Sequence, residues 1–418
     1  MNRFPRSDKF LLISAMAAIL VLVAGGAGAE DVRPATTYQL ADWSEIWTFI
    51  DEYYIYPDFR GVDWKAQKAA VEARIKAGLD DAAFTALVDK TLALLKDPRT
   101  YYLSPEKLRS QLAISEGEGT TGVGLFLIKG KGNYAVVASV VPGGPADEAG
   151  IASHDRILAI DGKPPLDAYG EPDLYRVRGA PGSSLRLRVS RAGAAAREIS
   201  LARRAVAPEG GAINGRMIEG SGNRRIGYIF LASMSLPGIG DLLRSEYARL
   251  SAAGKLDGLI LDLRTTSGGL GEPILSCAGL FVEGPIGAIV DRAGEANPIA
   301  AVGGPVGNSR EVPIVVLVSK VTRSGAEILA GVLRAMGRAR LAGATTAGDT
   351  SVAAEMDLPG GGVIATAAAK FSPIGSADPG WLGKGIQPEV IVAGGSWDDF
   401  SGSEDPGIAK AAELLRSK

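Results

Sequence analysis

The chain has 418 residues, 46% hydrophobic and 22% charged, with a formal net charge of -2 at pH 7; this is a globular balance long enough for two or three domains, without the basic excess that would point to nucleic acid or an acidic membrane. A single cysteine, Cys277, excludes an intrachain disulfide, and a single histidine, His154, leaves a His-based zinc site short of ligands and would have to serve any Ser-His-Asp triad. The 55 glycines are about twice the usual share, and apolar runs separate them, so they mark tight turns and close backbone approaches rather than disorder.

Arg3, Arg6 and Lys9 precede an apolar run from Phe10 to Val23, and Ala27-Gly28-Ala29 supplies small residues for cleavage. Residues 1–29 therefore read as an export signal, with Glu30 opening the mature chain. The run is short for a full span, which favours a cleaved leader over a retained anchor. With no second long apolar stretch, the expectation is an exported, periplasmic protein without a stable membrane span.

Residues 30–115 read as a helical domain. Trp43, Ile46, Trp47, Ile50, Tyr53 and Tyr54 recur at helical spacing; further helices are expected over 66–77 and 81–95, with Asp80 or Asp81 as cap, and another opens at Ser104-Pro105-Glu106. The density of aromatic residues predicts that this segment packs onto something. From 116 to 207 the texture is that of short antiparallel strands: 123–128, 134–141, 156–160, 185–190 and 197–202, with a short helix at 146–149 and a hairpin turn at Asp161-Gly162. His154 reads as an exposed loop residue.

Residues 208–396 alternate strand and helix. Strands are expected over 226–232, 256–263, 312–319 and 362–371, and helices over 239–250, 273–281 and 326–336. The near-continuous apolar strands require a buried parallel sheet. Cys277 lies in one of the apolar helices, as a buried, inert thiol would. The tail, 397–418, is polar and then helical over 406–416; it can close on the core or on a second subunit, so an oligomer is compatible with it.

Two turns can carry chemistry. The run from Asp262 to Gly269 ends a buried strand in a glycine pair, Gly268-Gly269, whose exposed amides could hold an oxyanion. Ser324 follows another buried strand and opens a helix, where free amides favour developing negative charge. By spacing alone, Ser324 with Glu327 three residues on is a capping box.

Several motifs recur in order and change that balance. Gly122-Val123-Gly124-Leu125-Phe126, Val141-Pro142-Gly143-Gly144-Pro145-Ala146, Asp155-Arg156-Ile157, Asp161-Gly162 and Arg178-Gly179-Ala180-Pro181-Gly182 together resemble a PDZ domain of bacterial proteases. Asp97-Pro98-Arg99-Thr100, Ile226-Gly227-Tyr228-Ile229, Leu261-Asp262-Leu263-Arg264, Gly268-Gly269, Ser324 with Glu327-Ile328, and Gly385-Ile386-Gln387-Pro388 resemble the C-terminal-processing (tail-specific) serine peptidases over residues 40–393. The resemblance implies a mixed α+β, α/β multidomain chain: a helical N-terminal segment, a PDZ-like β domain and a layered α/β core of the ClpP/crotonase kind. It implies protein or peptide C-termini as partners, bound through residues 122–126, and no cofactor or metal.

The resemblance also implies roles. Ser324 occupies the nucleophile position, and Gly325 with Gly268 or Gly269 the oxyanion positions. The family's general base is a lysine in a Thr-x-Gly-Lys run, with a supporting glutamine four residues later. Here the run reads Thr346-Ala347-Gly348-Asp349, and the later position is Ala353. A desolvated lysine can be neutral and accept the serine proton, whereas a carboxylate is a short, weak acceptor whose charge opposes a nearby oxyanion. The expectation is an impaired peptidase or a PDZ-bearing peptide-binding scaffold, with an active endopeptidase as the competing reading. Lys320, four residues before Ser324, is the candidate for a relocated base. Arg178 reads as a surface arginine at a strand edge, with a link between the PDZ domain and the core as the other reading.

Overall fold

The structure, a computed structural model, describes residues 35–97, 99–109, 120–167, 170–219, 223–269, 271–375, 380–399 and 405–417. The expected export signal, residues 1–29, lies outside these. The described chain divides into two compact units: the N-terminal residues to 109 with Ala288–Asn297 and Ser351–Phe371, and the remainder.

The first unit contains helices Ala35–Tyr53, Trp64–Lys76 and Asp81–Leu92; the third is capped by Asp80, one of the two caps expected, whose side chain accepts the Ala83 amide at 2.7 Å, and the second by Asp63, which accepts the Ala66 amide at 3.0 Å. The aromatic residues are the core. Trp43, Ile46, Ile50, Tyr54 and Trp64 are buried, and the Trp47 and Trp64 indoles each donate to the other's carbonyl at 2.9 and 3.2 Å. What they pack onto includes Leu358, Ile364 and Ala367 of a strand pair far along the chain. Lys96 closes the third helical stretch with a left-handed φ of 50°, where the expected helix over 81–95 ends, but the helical reading of the region is too broad, because Tyr101–Leu103 is a strand antiparallel to Val363–Ala365. A run of two tyrosines and a leucine suits a half-buried strand better than another turn of helix.

The second unit holds a short antiparallel pair, Thr120–Gly122 with Arg204–Val206, and two larger sheets. One follows the order 125–129, 135–140, 156–160, 184–190, 197–202, antiparallel throughout, around Val137, Ile157, Leu185, Leu187 and Val189. Asp161 and Gly162 sit at φ 48° and 74°, the paired positive values a two-residue hairpin turn demands. The other is six-stranded, in the order Val390–Ile391, Ala339–Gly343, Ile314–Val318, Gly258–Asp262, Ile226–Leu231, Ile213–Met217; all pairs are parallel except the last. The sequence reading misses the strand pieces 213–217 and 339–343, which carry few β-branched residues, and 390–391, which is only two residues long.

The tail closes on the core. Helix Pro406–Arg416 buries Ala411, Ala412 and Leu415 in one cluster with Tyr228, Phe230, Ile260 and Leu317 of the parallel sheet and with Ile128, Val136 and Ala138 of the antiparallel one. Asp405, its N-cap, joins Asp262 in gripping the guanidinium of Arg264. All three are buried or nearly so. Burial opposes the Arg264 charge, but the two carboxylates outweigh it and raise its pKa.

Just before this helix, Trp397 donates its indole N–H to Val137 O at 3.1 Å and stacks between Phe230, at 4.9 Å, and His154, at 4.3 Å. Asp398 accepts from Lys131 N at 2.8 Å, Tyr134 OH at 2.7 Å and Arg156 Nε at 3.2 Å. The reading of His154 as an exposed loop residue is therefore wrong: it is half-buried under the Trp397 ring, with Nδ1 3.0 Å from Trp397 O. No periodicity links position 154 to 397, so the partner was invisible in the sequence.

Candidate active site

Three neighbouring parallel strands, 258–262, 314–318 and 339–343, end on the same side of the sheet, where open α/β sheets place their sites. The turns after them carry Gly268-Gly269, Ser324 and Asp349. The first two are laced together: Ser319 Oγ donates to Arg264 O at 2.6 Å and Thr322 Oγ1 to Leu263 O at 2.7 Å. The third joins through Ala347 N to Thr322 O at 3.0 Å and Ser324 N to Asp349 O at 2.9 Å.

Ser324 has φ 59° and ψ -132°, a conformation that side-chain-bearing residues rarely adopt, at the start of helix Gly325–Ala335. Such strain costs about 1–3 kcal/mol and persists where surrounding contacts enforce it, typically at functional sites. A serine on a sharp strand-to-helix turn is the arrangement that displays a nucleophile. Gly325 is required beside it: a Cβ there would lie 2.4 Å from the carbonyl oxygens of both Gly268 and Gly269. Those two glycines are themselves at φ 80°.

The capping-box reading fails. Ser324 makes no side-chain cap bond, and Glu327 reaches the third turn instead. Fully buried, it accepts from Thr346 Oγ1, from Gly348 N at 2.8 Å and from Asp349 N at 2.9 Å. Burial pushes its carboxyl pKa up against these donors, which pull it down. A capping glutamate and a loop-holding glutamate have the same spacing; only the tertiary fold distinguishes them.

Ser324 Oγ is buried and has no hydrogen-bond partner among the described residues; the same is true of the Thr265 and Thr350 hydroxyls. Asp349 is half-buried, while Lys320 and Lys384 are exposed. Ala353 lies in the first unit, at a bulge of strand Ser351–Asp357 opposite Ala367. Among the described residues no group of His, Cys, Asp or Glu is arranged to hold a metal ion. Cys277 is fully buried, which raises its thiol pKa to about 12.

Strand Leu125–Lys129 is the edge of the antiparallel sheet, preceded by Gly122-Val123-Gly124, with Gly124 at φ 78°. Leu125 and Leu127 pack on that domain's own core, whereas Phe126 packs on the cluster shared with the parallel sheet. Arg178 is exposed, on an isolated bridge to Gly122. A different arginine ties this domain to the turn that carries Ser324: Arg323, adjacent to Ser324, pairs with Glu171 at 3.2 Å.

Three family profiles match: Tricorn protease C1 domain over residues 40–93, PDZ domain over 136–191 and peptidase family S41 over 225–392. The carboxyl-terminal-processing protease of a Picosynechococcus species is 33% identical, over 83% of this chain and 82% of the relative. The chloroplastic C-terminal processing peptidase of Tetradesmus obliquus is 30% identical, over 87% and 79%. Among solved structures, the photosystem II D1 C-terminal processing protease superposes with a TM-score of 0.63 at 25% identity, over 91% of this chain and 98% of that one. A putative S41 protease from Bacteroides fragilis, at 15% identity and a TM-score of 0.57 over 89% and 97%, shares the fold. With its PDZ domain, its α/β core and relatives of this identity and coverage, the chain belongs to peptidase family S41, among the C-terminal-processing serine proteases.

Proposed function

We propose that this is an exported, periplasmic member of the family that captures protein or peptide C-termini at the edge strand 125–129. In this reading its hydrolysis of peptide bonds at Ser324 is strongly impaired because Asp349 stands where the family carries its base lysine. Gly325 with Gly268 or Gly269 frames the oxyanion position, and Ala353 replaces the supporting glutamine. The observation that carries the reading is the Ser324 hydroxyl: the strained turn that displays a nucleophile is kept, yet Oγ has no acceptor among the described residues. A serine without an adjacent base is a poor nucleophile.

The retained strain favours one competing reading, a slow but active endopeptidase. The test measures binding of peptides with apolar C-termini by calorimetry, and turnover of a denatured substrate with such a tail, for the wild type, Ser324→Ala and Asp349→Lys. Peptide binding without turnover in the wild type, and turnover gained in Asp349→Lys, supports the proposal. Robust wild-type turnover that Ser324→Ala abolishes rejects the impairment.

A further inference from the structure

Residues 345–350 have no regular secondary structure, and so no ladder of hydrogen bonds to hold them. Their backbone is instead gathered onto Glu327. Its carboxylate takes the Thr346 hydroxyl and the amides of Gly348 and Asp349. Asp349 O then receives the Ser324 amide, and Thr346 Oγ1 receives Ile386 N at 2.6 Å. From the other side, Gly383 N donates to Gly348 O at 2.7 Å, and Gly348 is so close to Lys384 N that a Cβ would stand 2.9 Å from it.

A fully buried carboxylate is an expensive way to fill space, since an apolar side chain of similar size would pack without a desolvation cost. Its acceptors are all spent on one turn. The amides of two consecutive residues, converging on one carboxylate, fix the orientation of the peptide planes between them. They thereby fix the direction in which the Cα–Cβ bond of residue 349 leaves the chain.

We propose that Glu327 is the positioning residue of this site: its carboxylate sets the backbone of residues 346–349 so that the side chain at position 349 is presented to Ser324. The inference rests on position 349 being the base position. It extends that reading by assigning the geometry of the turn to a residue on the nucleophile's own helix, one turn from Ser324. Glu327 acts through the turn and does not touch the substrate.

The test uses the full chain and has two arms. Glu327→Gln keeps the side-chain shape and one acceptor oxygen but places an NH2 group against one of the two amides. Amide hydrogen exchange is expected to be at least tenfold faster at Gly348 or Asp349, with the amides of 328–335 unchanged. Unchanged exchange at both amides overturns the inference. Should Glu327→Gln not fold, Thr346→Val removes one donor to the carboxylate and is expected to loosen the same two amides; their continued protection in that variant counts against the inference equally.

The second arm compares Asp349→Lys with Asp349→Lys/Glu327→Gln. In the double variant kcat is expected to fall at least tenfold with KM within twofold, and the midpoint of the pH–rate profile to move, as removal of a charge beside the lysine requires. An unchanged kcat and midpoint overturn the inference. If Asp349→Lys itself gains no activity, the assignment of position 349 as the base position falls, and the exchange arm alone decides whether Glu327 holds the turn.

Discussion

Ser324 donates its backbone N–H to the carbonyl oxygen of Asp349 at 2.9 Å, so the two residues that we propose as the nucleophile and substituted base positions share a main-chain bond. The turn is assembled, and in the proposed reading only the chemical group it carries differs from the family pattern. Substituting Asp349→Lys, with Ala353→Gln, is therefore expected to raise turnover of a tail-bearing substrate by about 10²–10⁴-fold, the usual contribution of a general base. Single-turnover kinetics measures it, and a rate no higher than the wild type's counts against the assignment.

Strain at Ser324 has a thermodynamic signature. Ser324→Gly removes the Cβ that makes φ 59° unfavourable and leaves no lost hydrogen bond, because Oγ has no partner among the described residues. The variant is expected to be more stable by about 1 kcal/mol while losing any residual turnover. Denaturant unfolding decides it: a variant less stable than the wild type would mean that the turn is not strained.

His154 is the chain's only imidazole, so its titration can be followed without ambiguity. Burial under Trp397 lowers its pKa from 6.5, against a raising contribution from Trp397 O; Asp405 and Asp262 also raise it and Arg264 lowers it. Asp398, Arg156 and Tyr134 stand on the neighbouring elements. Below pH 6.5 the unfolded chain binds this proton before the folded one does. The contribution to stability is thus complete above about 6.5 and is lost as pH falls through the depressed folded value. The difference in stability between the wild type and His154→Phe, which keeps the stack, should follow that course; a difference independent of pH between 5 and 7 would exclude it.

Trp397 joins the two larger sheets of the second unit by an indole hydrogen bond and two ring stacks, at 7% exposure. Trp397→Ala is expected to cost about 3–5 kcal/mol, as large aromatic truncations in cores do. It should also release protection at Val136 and Val137 in hydrogen exchange before the parallel strands respond. Simultaneous loss across both sheets would show that Trp397 serves the core as a whole.

How far the sequence reaches is seen in particular residues. Asp80 as a cap, Asp161-Gly162 as a hairpin and the buried strands near 260 and 316 are local signals, and local physics decides them. Ser324 and the glycine pair were visible as turns after apolar strands. Glu327 was misread because its partners, Thr346, Gly348 and Asp349, lie on the turn after the next strand, beyond any periodic pattern. His154 was misread for the same reason at greater range, and Tyr101–Leu103 because its partner strand begins at Val363.

Arg264 has a consequence for the order of synthesis. It emerges with Asp262 beside it, but its second carboxylate, Asp405, is made only after the rest of the core. Until then the strand end that leads into Gly268-Gly269 holds a guanidinium with one of its two carboxylate partners. During elongation on the ribosome the glycine turn is therefore expected to gain its final support only once helix Pro406–Arg416 has docked.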